Sequence, residues 1–252
     1  MLTPFILDYC KNFKDDSIKR LNILEIGVDH GQTMVPILHG LISDGLAFNY
    51  DAVDIMHHSG LDTILRTMHL DPNTQVISFI KINSLKILPL MAKGGHRPRD
   101  RDRWGPYDII LIDGDHNYVT VYNELVLCML LSHTNTVYVL DDYGTRHGAA
   151  DCFYVDRPGY ADIDATPHGE LVPPEGRSGV RHAVNDFVSE NPSWHILHPM
   201  IDEVTPCDFA LLVHEDHLIS EQMMHPEFMP KMIDICRGKL AQYDFYYLEK
   251  EG

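Results

Sequence analysis

The sequence has few cysteines and no long apolar run. Its five cysteines are scattered over 252 residues without a C-x-x-C pair, so neither a disulfide framework nor a zinc knuckle is indicated. This cysteine usage is typical of a reducing, intracellular setting, and we expect a cytoplasmic protein. No unbroken apolar segment approaches the length of a membrane span. Charged residues interrupt the N-terminal segment at Asp8, Lys11 and Lys14, so we expect neither a signal peptide nor a membrane anchor.

Positive charge is also scarce. Thirty-seven acidic residues stand against twenty basic ones, which gives a formal charge of −17. Such a balance disfavours nucleic acid and anionic membranes as partners, and a small, uncharged or cationic substrate fits it better. The hydrophobic fraction of 44% and the charged fraction of 23% are those of an ordinary globular protein. We therefore expect a single domain over residues 1–252.

Short apolar runs alternate with segments of helical periodicity. Residues 108–112 are mostly β-branched or apolar, too short for a helix and bounded by Gly-Pro and Asp-Gly, as is typical of a buried parallel strand. A second strand of this kind is predicted at residues 136–140, and five further strands are predicted at residues 21–27, 48–55, 75–82, 194–198 and 208–213. The pattern predicts an α/β fold: a Rossmann-like seven-stranded, mostly parallel sheet with helices on both faces and an antiparallel edge strand.

Three segments fall outside this alternation. Residues 147–178 are rich in proline and glycine and follow a predicted strand end, so we interpret them as a substrate loop or lid. Residues 93–106 are predicted to be a solvated loop. The mixed tail, residues 215–252, is expected to pack on the domain or on a second copy of the chain, which leaves a homodimer open.

A glycine turn follows the first predicted strand. Gly27 and Gly31 frame this turn, which leads into a helix, as in the first half of a nucleotide-binding βαβ unit. Asp54 ends the second strand, 23 residues beyond Gly31, about where such folds bind ribose hydroxyls. The two glycines alone are compatible with a simple tight turn. The turn lacks the G-x-G-x-x-G pattern of dinucleotide-binding proteins.

Carboxylates follow two of the predicted strands. Asp113 comes directly after residues 108–112, and Asp141 and Asp142 come after residues 136–140. If these strands are parallel neighbours, the three side chains lie at one edge of the sheet and repel one another unless a cation separates them. A hard divalent cation such as Mg²⁺ is the simplest candidate. Alternatively, Asp113 and Asp141 cap helices and Asp142 is a surface charge.

Four segments, in order, resemble class I S-adenosylmethionine-dependent methyltransferases. Residues 25–33, EIGVDHGQT, resemble the first motif of that superfamily, and residues 112–118, IDGDHNY, resemble the I-D-G-D-H-x-Y signature of a small-molecule subgroup. Residues 139–144, VLDDYG, and residues 179–187, GVRHAVNDF, are similar to the V-x-D-D-Y-G and A-V-x-D-F motifs of macrocin-type sugar O-methyltransferases. The resemblance covers roughly residues 21–213.

This resemblance implies S-adenosylmethionine as cofactor. The residues that it places at the cofactor are Glu25, Gly27, Asp29, His30, Gly31, Thr33, Asp54, Ile55, Asn83, Ser84 and Asp113. Two of them depart from the usual pattern. Asp29 stands where many relatives have glycine, and Asn83 stands where an acidic residue often contacts adenine. An asparagine amide can still form a hydrogen bond with the base.

The resemblance also implies transfer of a methyl group to a hydroxyl. Mg²⁺ bound by Asp113, Asp141 and Asp142 would orient and activate that hydroxyl. Its proton would pass to His116, which takes the position of the lysine base of catechol-type relatives, or to Asp115, the second aspartate of the D-G-D motif. Because histidine titrates near neutrality and a carboxylate beside a cation loses basicity, His116 is favoured.

The function expected from the sequence is O-methylation of a small molecule, such as a sugar, a polyol or another natural product. Two alternatives stay open. One is a protein of the same fold that binds cofactor without catalysis, and the other is a nicotinamide-dependent oxidoreductase. Binding of S-adenosylhomocysteine, as opposed to a dinucleotide, separates these alternatives.

Overall fold

The computed structural model describes residues 6–7, 9–10, 20–94, 104–144, 146–156, 160, 172–197 and 208–218. The first four of these residues are helical. Most of the predicted loop at 93–106, the central part of the predicted lid and the tail from residue 219 onward lie outside the described residues. Within these ranges, no helix combines the length and the apolar composition needed to cross a membrane.

Seven strands form a single sheet in the order β3-β2-β1-β4-β5-β7-β6. Strands β1 to β5 pair in parallel, whereas β7 is antiparallel to both β5 and β6. The predicted mostly parallel sheet with an antiparallel pair at one edge is therefore confirmed. The strands are β1 (Leu21–Ile26), β2 (Phe48–Asp54), β3 (Gln75–Lys81), β4 (Tyr107–Ile112), β5 (Ser132–Leu140), β6 (Trp194–Leu197) and β7 (Ala210–His214).

Among the described residues, five helices of nine or more residues lie between strands, as the alternating sequence pattern predicted. Two further helices of four residues each, α5 and α7, were not predicted, and a 3-10 turn occupies Tyr154–Asp156. The helices are α1 (Met34–Ser43), α2 (Ser59–Thr67), α3 (Ser84–Ala92), α4 (Tyr118–Met129), α5 (Arg146–Ala149), α6 (Gly179–Glu190) and α7 (Glu215–Leu218).

The sheet separates two apolar cores. Successive residues of a strand point to opposite faces, so Ile109 and Leu111 pack with α1 and α2 whereas Ile110 and Ile112 pack with α3, α4 and α6. Every residue of β4 is buried, which explains why its sequence is mostly apolar. The architecture is a three-layer sandwich with helices on both faces of the sheet.

The ends of the predicted lid are joined through one carboxylate. Asp151 Oδ1 accepts hydrogen bonds from the backbone N–H of Tyr118, 2.7 Å, and of Gly179, 2.7 Å. Asp151 therefore satisfies the first turns of both α4 and α6, where unpaired N–H groups and the helix dipole favour a negative charge. Ser178 Oγ completes the junction by accepting from the Asp151 N–H and donating to the Ala149 carbonyl.

Candidate active site

A pocket opens at the carboxyl ends of β1 to β4, where the strand order reverses between β1 and β4. Ligands of open α/β sheets bind at such a switch point. The pocket holds about 610 Å³ of space, part of which is open to solvent. It is lined by Ile26, Gly27, Asp29, Val53, Asp54, Ile55, Met56, His58, Ile82, Asn83, Ser84, Asp113, Gly114, Asp115, Thr120, Glu124, Tyr154 and Tyr160.

The ends of β1 and β4 touch at Gly27. A Cβ atom at this position would lie 2.1 Å from the carbonyl oxygen of Asp113, and the φ angle of Gly27 is +87°. Both observations require glycine at this position. Other residues rarely adopt this conformation, and any Cβ atom would overlap the Asp113 carbonyl. The Asp113 N–H donates to the Ile26 carbonyl, 2.8 Å. This contact forms the floor of the pocket.

Asp54 organises the glycine turn. Its Oδ2 accepts hydrogen bonds from the backbone N–H of Val28, 2.7 Å, and of Asp29, 2.8 Å, while its Oδ1 accepts from the Met56 N–H, 2.7 Å. A carboxylate has about four acceptor positions, so three backbone bonds leave one for a ligand. The acid predicted to bind ribose therefore also sets the shape of the turn.

Asp29 occupies the left-handed region of backbone space, with φ +45°. Glycine is favoured in this region, and aspartate is among the few other residues that tolerate it. The departure from the family pattern at this position therefore keeps the backbone conformation that glycine would adopt. Unlike a glycine, Asp29 also places a carboxylate at the mouth of the pocket.

Asn83, Ser84 and Glu124 form the opposite wall. The Asn83 side chain accepts from the Leu85 N–H, 2.9 Å, as the N-cap of α3, and Ser84 Oγ donates to Glu124 Oε1, 2.5 Å. Glu124 Oε2 is buried and has no hydrogen-bond partner among the described residues. Burial raises the pKa of Glu124 to about 8. A protonated carboxyl at this point can donate to one ligand atom and accept from another.

The sequence analysis did not identify Glu124, Thr120 or the two tyrosines of the pocket. Glu124 lies in the middle of α4 and reads as an ordinary polar helical position, although only 1% of it is exposed. The helical periodicity of Val121, Leu125 and Cys128 was the available signal, because Glu124 falls on the same buried face as these residues.

Four of the predicted cofactor residues do not line the pocket within the described structure. Glu25 is buried in β1, where it accepts from the Tyr50 hydroxyl, 2.7 Å, and burial raises its pKa to about 8. Gly31 fits against Leu61, which an added Cβ would approach to 2.6 Å. His30 is exposed, and Thr33 precedes α1 without capping it. These positions support the turn or lie outside it, whereas the other seven predicted residues line the pocket.

Asp115 and His116, the two candidate bases, have different surroundings. Asp115 lines the pocket, and its oxygens accept from the Tyr154 N–H, 3.1 Å, and from Thr120 Oγ1, 3.3 Å. His116 is buried behind Tyr154, with Nδ1 3.3 Å from Asp142 Oδ2 and Nε2 3.5 Å from the Tyr154 hydroxyl. The His147 ring stacks on it at 5.3 Å. His116 and Asp142 thus form a histidine–carboxylate pair beside the pocket.

The three carboxylates predicted to bind a metal follow adjacent strands but do not converge. Ile112 pairs with Leu140, and the Asp141 N–H donates to the Ile112 carbonyl, 3.1 Å, which confirms that β4 and β5 are neighbours. Asp142, at φ +58°, faces His116. In the part of the chain that the structure describes, only Asp29, His30 and His58 bring three metal-binding atoms within 4.8 Å of one another.

The strand order, the glycine turn and the pocket at the switch point define a Rossmann-like methyltransferase fold. Residues 24–143 match a family model described as a methyltransferase domain, and this match confirms the resemblance to S-adenosylmethionine-dependent methyltransferases indicated by the motifs. The similarity to a methyltransferase domain extends over just under half of the chain. No curated protein sequence matches the chain.

Similar solved structures include two methyltransferases with bound S-adenosylhomocysteine (SAH). The MycE methyltransferase of the mycinamycin biosynthetic pathway, in complex with Mg, SAH and mycinamycin VI, is 16% identical, with a TM-score of 0.48. The match covers 84% of this chain and 49% of that one, so this chain spans about half the length of MycE. An O-methyltransferase from Bacillus cereus in complex with SAH is 16% identical, with a TM-score of 0.46 and coverage of 76% and 72%. Likenesses at this level do not define an activity.

Proposed function

We propose that this protein transfers the methyl group of S-adenosylmethionine to a hydroxyl of a small molecule. The observation that carries the proposal is the position of Asp115 and the His116–Asp142 pair beside a pocket with a methyltransferase glycine turn. Cofactor and proton acceptor would then meet at one sheet edge. The acceptor class, a sugar, polyol or related natural product, is part of the same proposal.

The pocket residues suit the cofactor in three respects. Asp54 keeps one acceptor position for a ribose hydroxyl, as its other three take backbone N–H groups. Val53, Ile55 and Ile82 provide apolar walls. The buried Glu124 Oε2 has no partner among the described residues, and a polar ligand atom at this place would supply one. Burial without such a partner costs about 1–3 kcal/mol.

The chain's own residues would position and deprotonate the acceptor. When bound, S-adenosylmethionine supplies an electrophilic methyl group. Asp142 orients the His116 ring through Nδ1, which leaves Nε2 beside the hydroxyl of Tyr154, a residue that lines the pocket. A base held in place by a second group is the arrangement that activates hydroxyl nucleophiles in other enzymes. We assign the proton of the acceptor to His116, with Asp115 as the alternative because it lines the pocket itself.

Tyr154 and Tyr160 bring the predicted lid to the pocket. Both line it, and their rings lie 5.2 Å apart. An aromatic ring offers an apolar face and a phenolic hydroxyl, which suits a ligand with both C–H and O–H groups. The formal charge of −17 disfavours an anionic acceptor. These features support an uncharged or cationic polyhydroxylated acceptor.

Mg²⁺ is a separate part of the proposal. The donor chemistry of Asp113, Asp141 and Asp142 suits a hard cation, and MycE was solved with Mg. As the structure has them, the three side chains do not form an ion site, because they do not together bring one oxygen each within 4.8 Å of the other two. The proton transfer above is therefore assigned without a metal. Turnover measured after chelation, and again after Mg²⁺ is restored, tests whether an ion takes part.

Titration calorimetry with SAH tests the cofactor assignment. We expect one site per chain for SAH and no binding of NAD⁺. Methyl transfer is then measured with labelled S-adenosylmethionine and a panel of sugars and diols. Binding without transfer to any hydroxyl acceptor would favour the non-catalytic alternative. Absence of SAH binding would overturn the proposal.

A further inference from the structure

A histidine–carboxylate cluster lies at the mouth of the pocket, on the turns that follow β1 and β2. Asp29 Oδ1 is 3.2 Å from His58 Nε2 and 3.9 Å from His30 Nε2. The His30 and His58 ring centroids are 3.8 Å apart, with their planes inclined by 38°. One ligand atom from each residue therefore lies within 4.8 Å of the other two. Residues 30 and 58 are far apart in the sequence and meet only in the fold.

His58 Nε2 and Asp29 Oδ1 lie close together but do not form a hydrogen bond. His58 Nε2 is buried and has no hydrogen-bond partner among the described residues, although Asp29 Oδ1 is at hydrogen-bonding distance. The approach thus lacks the direction that a hydrogen bond requires. With one ligand atom of His30, these two atoms lie within 4.8 Å of one another, as the ligands of a metal ion do. An unpartnered buried nitrogen calls for such an explanation.

The backbone around the cluster is held firmly. The Asp29 N–H is bonded to Asp54, which also binds the turn after β2 through Met56. His58 directly precedes α2, and its carbonyl accepts from the Leu61 N–H, 3.0 Å. The neighbouring His57 pairs with Asp62 at 3.0 Å. Asp54 thus connects the two turns that carry the ligands, and such preorganisation favours metal binding.

We propose that Asp29, His30 and His58 bind a divalent transition-metal ion with the preferences of Zn²⁺. Two imidazoles and one carboxylate suit Zn²⁺ and its neighbours in the transition series, whereas Mg²⁺ prefers oxygen ligands alone. Three protein ligands leave at least one position open for water or a pocket ligand. Because Asp29 and His58 also line the pocket, ion and pocket ligand change each other's affinity by the same factor. The ion site itself does not depend on the methyltransferase activity.

The test is a Zn²⁺ titration of the full chain after chelation and removal of the chelator, followed by calorimetry. We expect one ion per chain. His58→Ala and His30→Gln should each weaken binding by at least about tenfold, since even supporting residues of metal sites contribute about 10- to 100-fold. His39→Ala is the matched control, because His39 is an exposed histidine on α1 outside the cluster. This control should bind Zn²⁺ as the wild type does.

Co²⁺ provides a second reading through its visible absorption. A band of a low-coordinate nitrogen and oxygen site should appear in the wild type and in His39→Ala, and disappear in His30→Gln. His30 is 63% exposed, so its replacement does not disturb the core, and circular dichroism checks the fold of each variant. Failure of Zn²⁺ to bind would overturn the proposal, and so would unchanged binding in both cluster variants. Displacement of Zn²⁺ by an equal concentration of Mg²⁺ would contradict the assigned ion class.

Discussion

The two halves of the pocket are built by different means. On the side assigned to the cofactor, after β1, β2 and β3, backbone N–H groups donate to side-chain oxygens, chiefly those of Asp54 and Asn83. On the acceptor side, after β4 and β5, ionisable side chains contact one another, as His116 does with Asp142. The first half depends on backbone geometry, whereas the second depends on charge and protonation.

The two halves of the pocket therefore tolerate different substitutions. A backbone-defined turn accepts few substitutions, because its glycines adopt conformations that other residues rarely adopt. A side-chain-defined site accepts isosteric changes without unfolding, but its chemistry changes with each one. Substitutions in the two halves should therefore give different phenotypes: loss of structure and binding on one side, and loss of turnover on the other.

The largest effect is expected from Gly27→Ala. The added Cβ would meet the Asp113 carbonyl at 2.1 Å, so left-handed strain and overpacking together should cost about 3 kcal/mol or more of the free energy of unfolding. Gly45→Ala is the control, since Gly45 has a similar φ of +64° but no atom within 4 Å of an added Cβ. It should cost only about 1–2 kcal/mol. Urea unfolding of both variants decides this, and equal losses would refute the role of the β1–β4 contact.

A large effect on turnover alone is expected from His116→Gln. General base catalysis contributes about 10²- to 10⁴-fold, so kcat should fall by that amount while SAH affinity stays within about twofold of the wild type. Asp142→Asn should lower kcat less, because it leaves the imidazole in place but loses its orientation. If Asp115→Asn abolishes turnover and His116→Gln does not, the base is Asp115.

Asp54→Ala should act in the opposite sense. It leaves the N–H groups of Val28, Asp29 and Met56 without their acceptor, and each such loss costs about 1–3 kcal/mol unless water replaces it. We expect SAH affinity to fall by about 100-fold or more, with Asp54→Asn intermediate. Calorimetry of SAH binding to the Asp54 and Asp142 variants shows whether the two halves of the pocket differ in their contribution to cofactor affinity. Equal loss of cofactor affinity at both positions would remove the distinction between the two halves.

The smallest effect concerns stability against pH. Burial raises the pKa of Glu124 to about 8 from an ordinary value of 4.5, so between these values the folded protein keeps a proton that the unfolded chain has released. Its contribution to stability is therefore full below about pH 4.5 and declines as the pH rises toward 8. Glu124→Gln should flatten this decline. Thermal unfolding of both proteins at pH 5 and pH 8 tests it, and identical pH dependence would show that Glu124 ionises normally.

Much of the fold could be predicted because β1, β2 and β4 are almost entirely buried and each strand is a short, largely apolar segment. The start of β5 was missed, since residues 132–135 are polar and partly exposed and pair only because β4 lies beside them. α5 was missed because four residues carry no periodicity. The local sequence pattern therefore predicted the central strands better than the strand ends and the short helices.

The same reasoning explains the outcome at the site. The glycine turn and Asp54 were predicted because their roles follow from position within one βαβ unit. Glu25 was misplaced, since its alternation in β1 directs it into the core toward Tyr50. The pairing of His116 with Asp142 depends on a left-handed residue and on two strands that are 20 or more residues apart. No short motif encodes such a contact.

The junction at Asp151 has a consequence for how this protein can diversify. Because one carboxylate holds the beginnings of α4 and α6 together, the residues between positions 151 and 178 connect two points that are already adjacent. Doubling the length of such a connection costs only about 0.6 kcal/mol of loop-closure entropy. This segment can therefore be exchanged between homologous chains, or replaced in the laboratory, with little penalty to the sheet. Asp151 and Ser178 are the natural boundaries for such a graft.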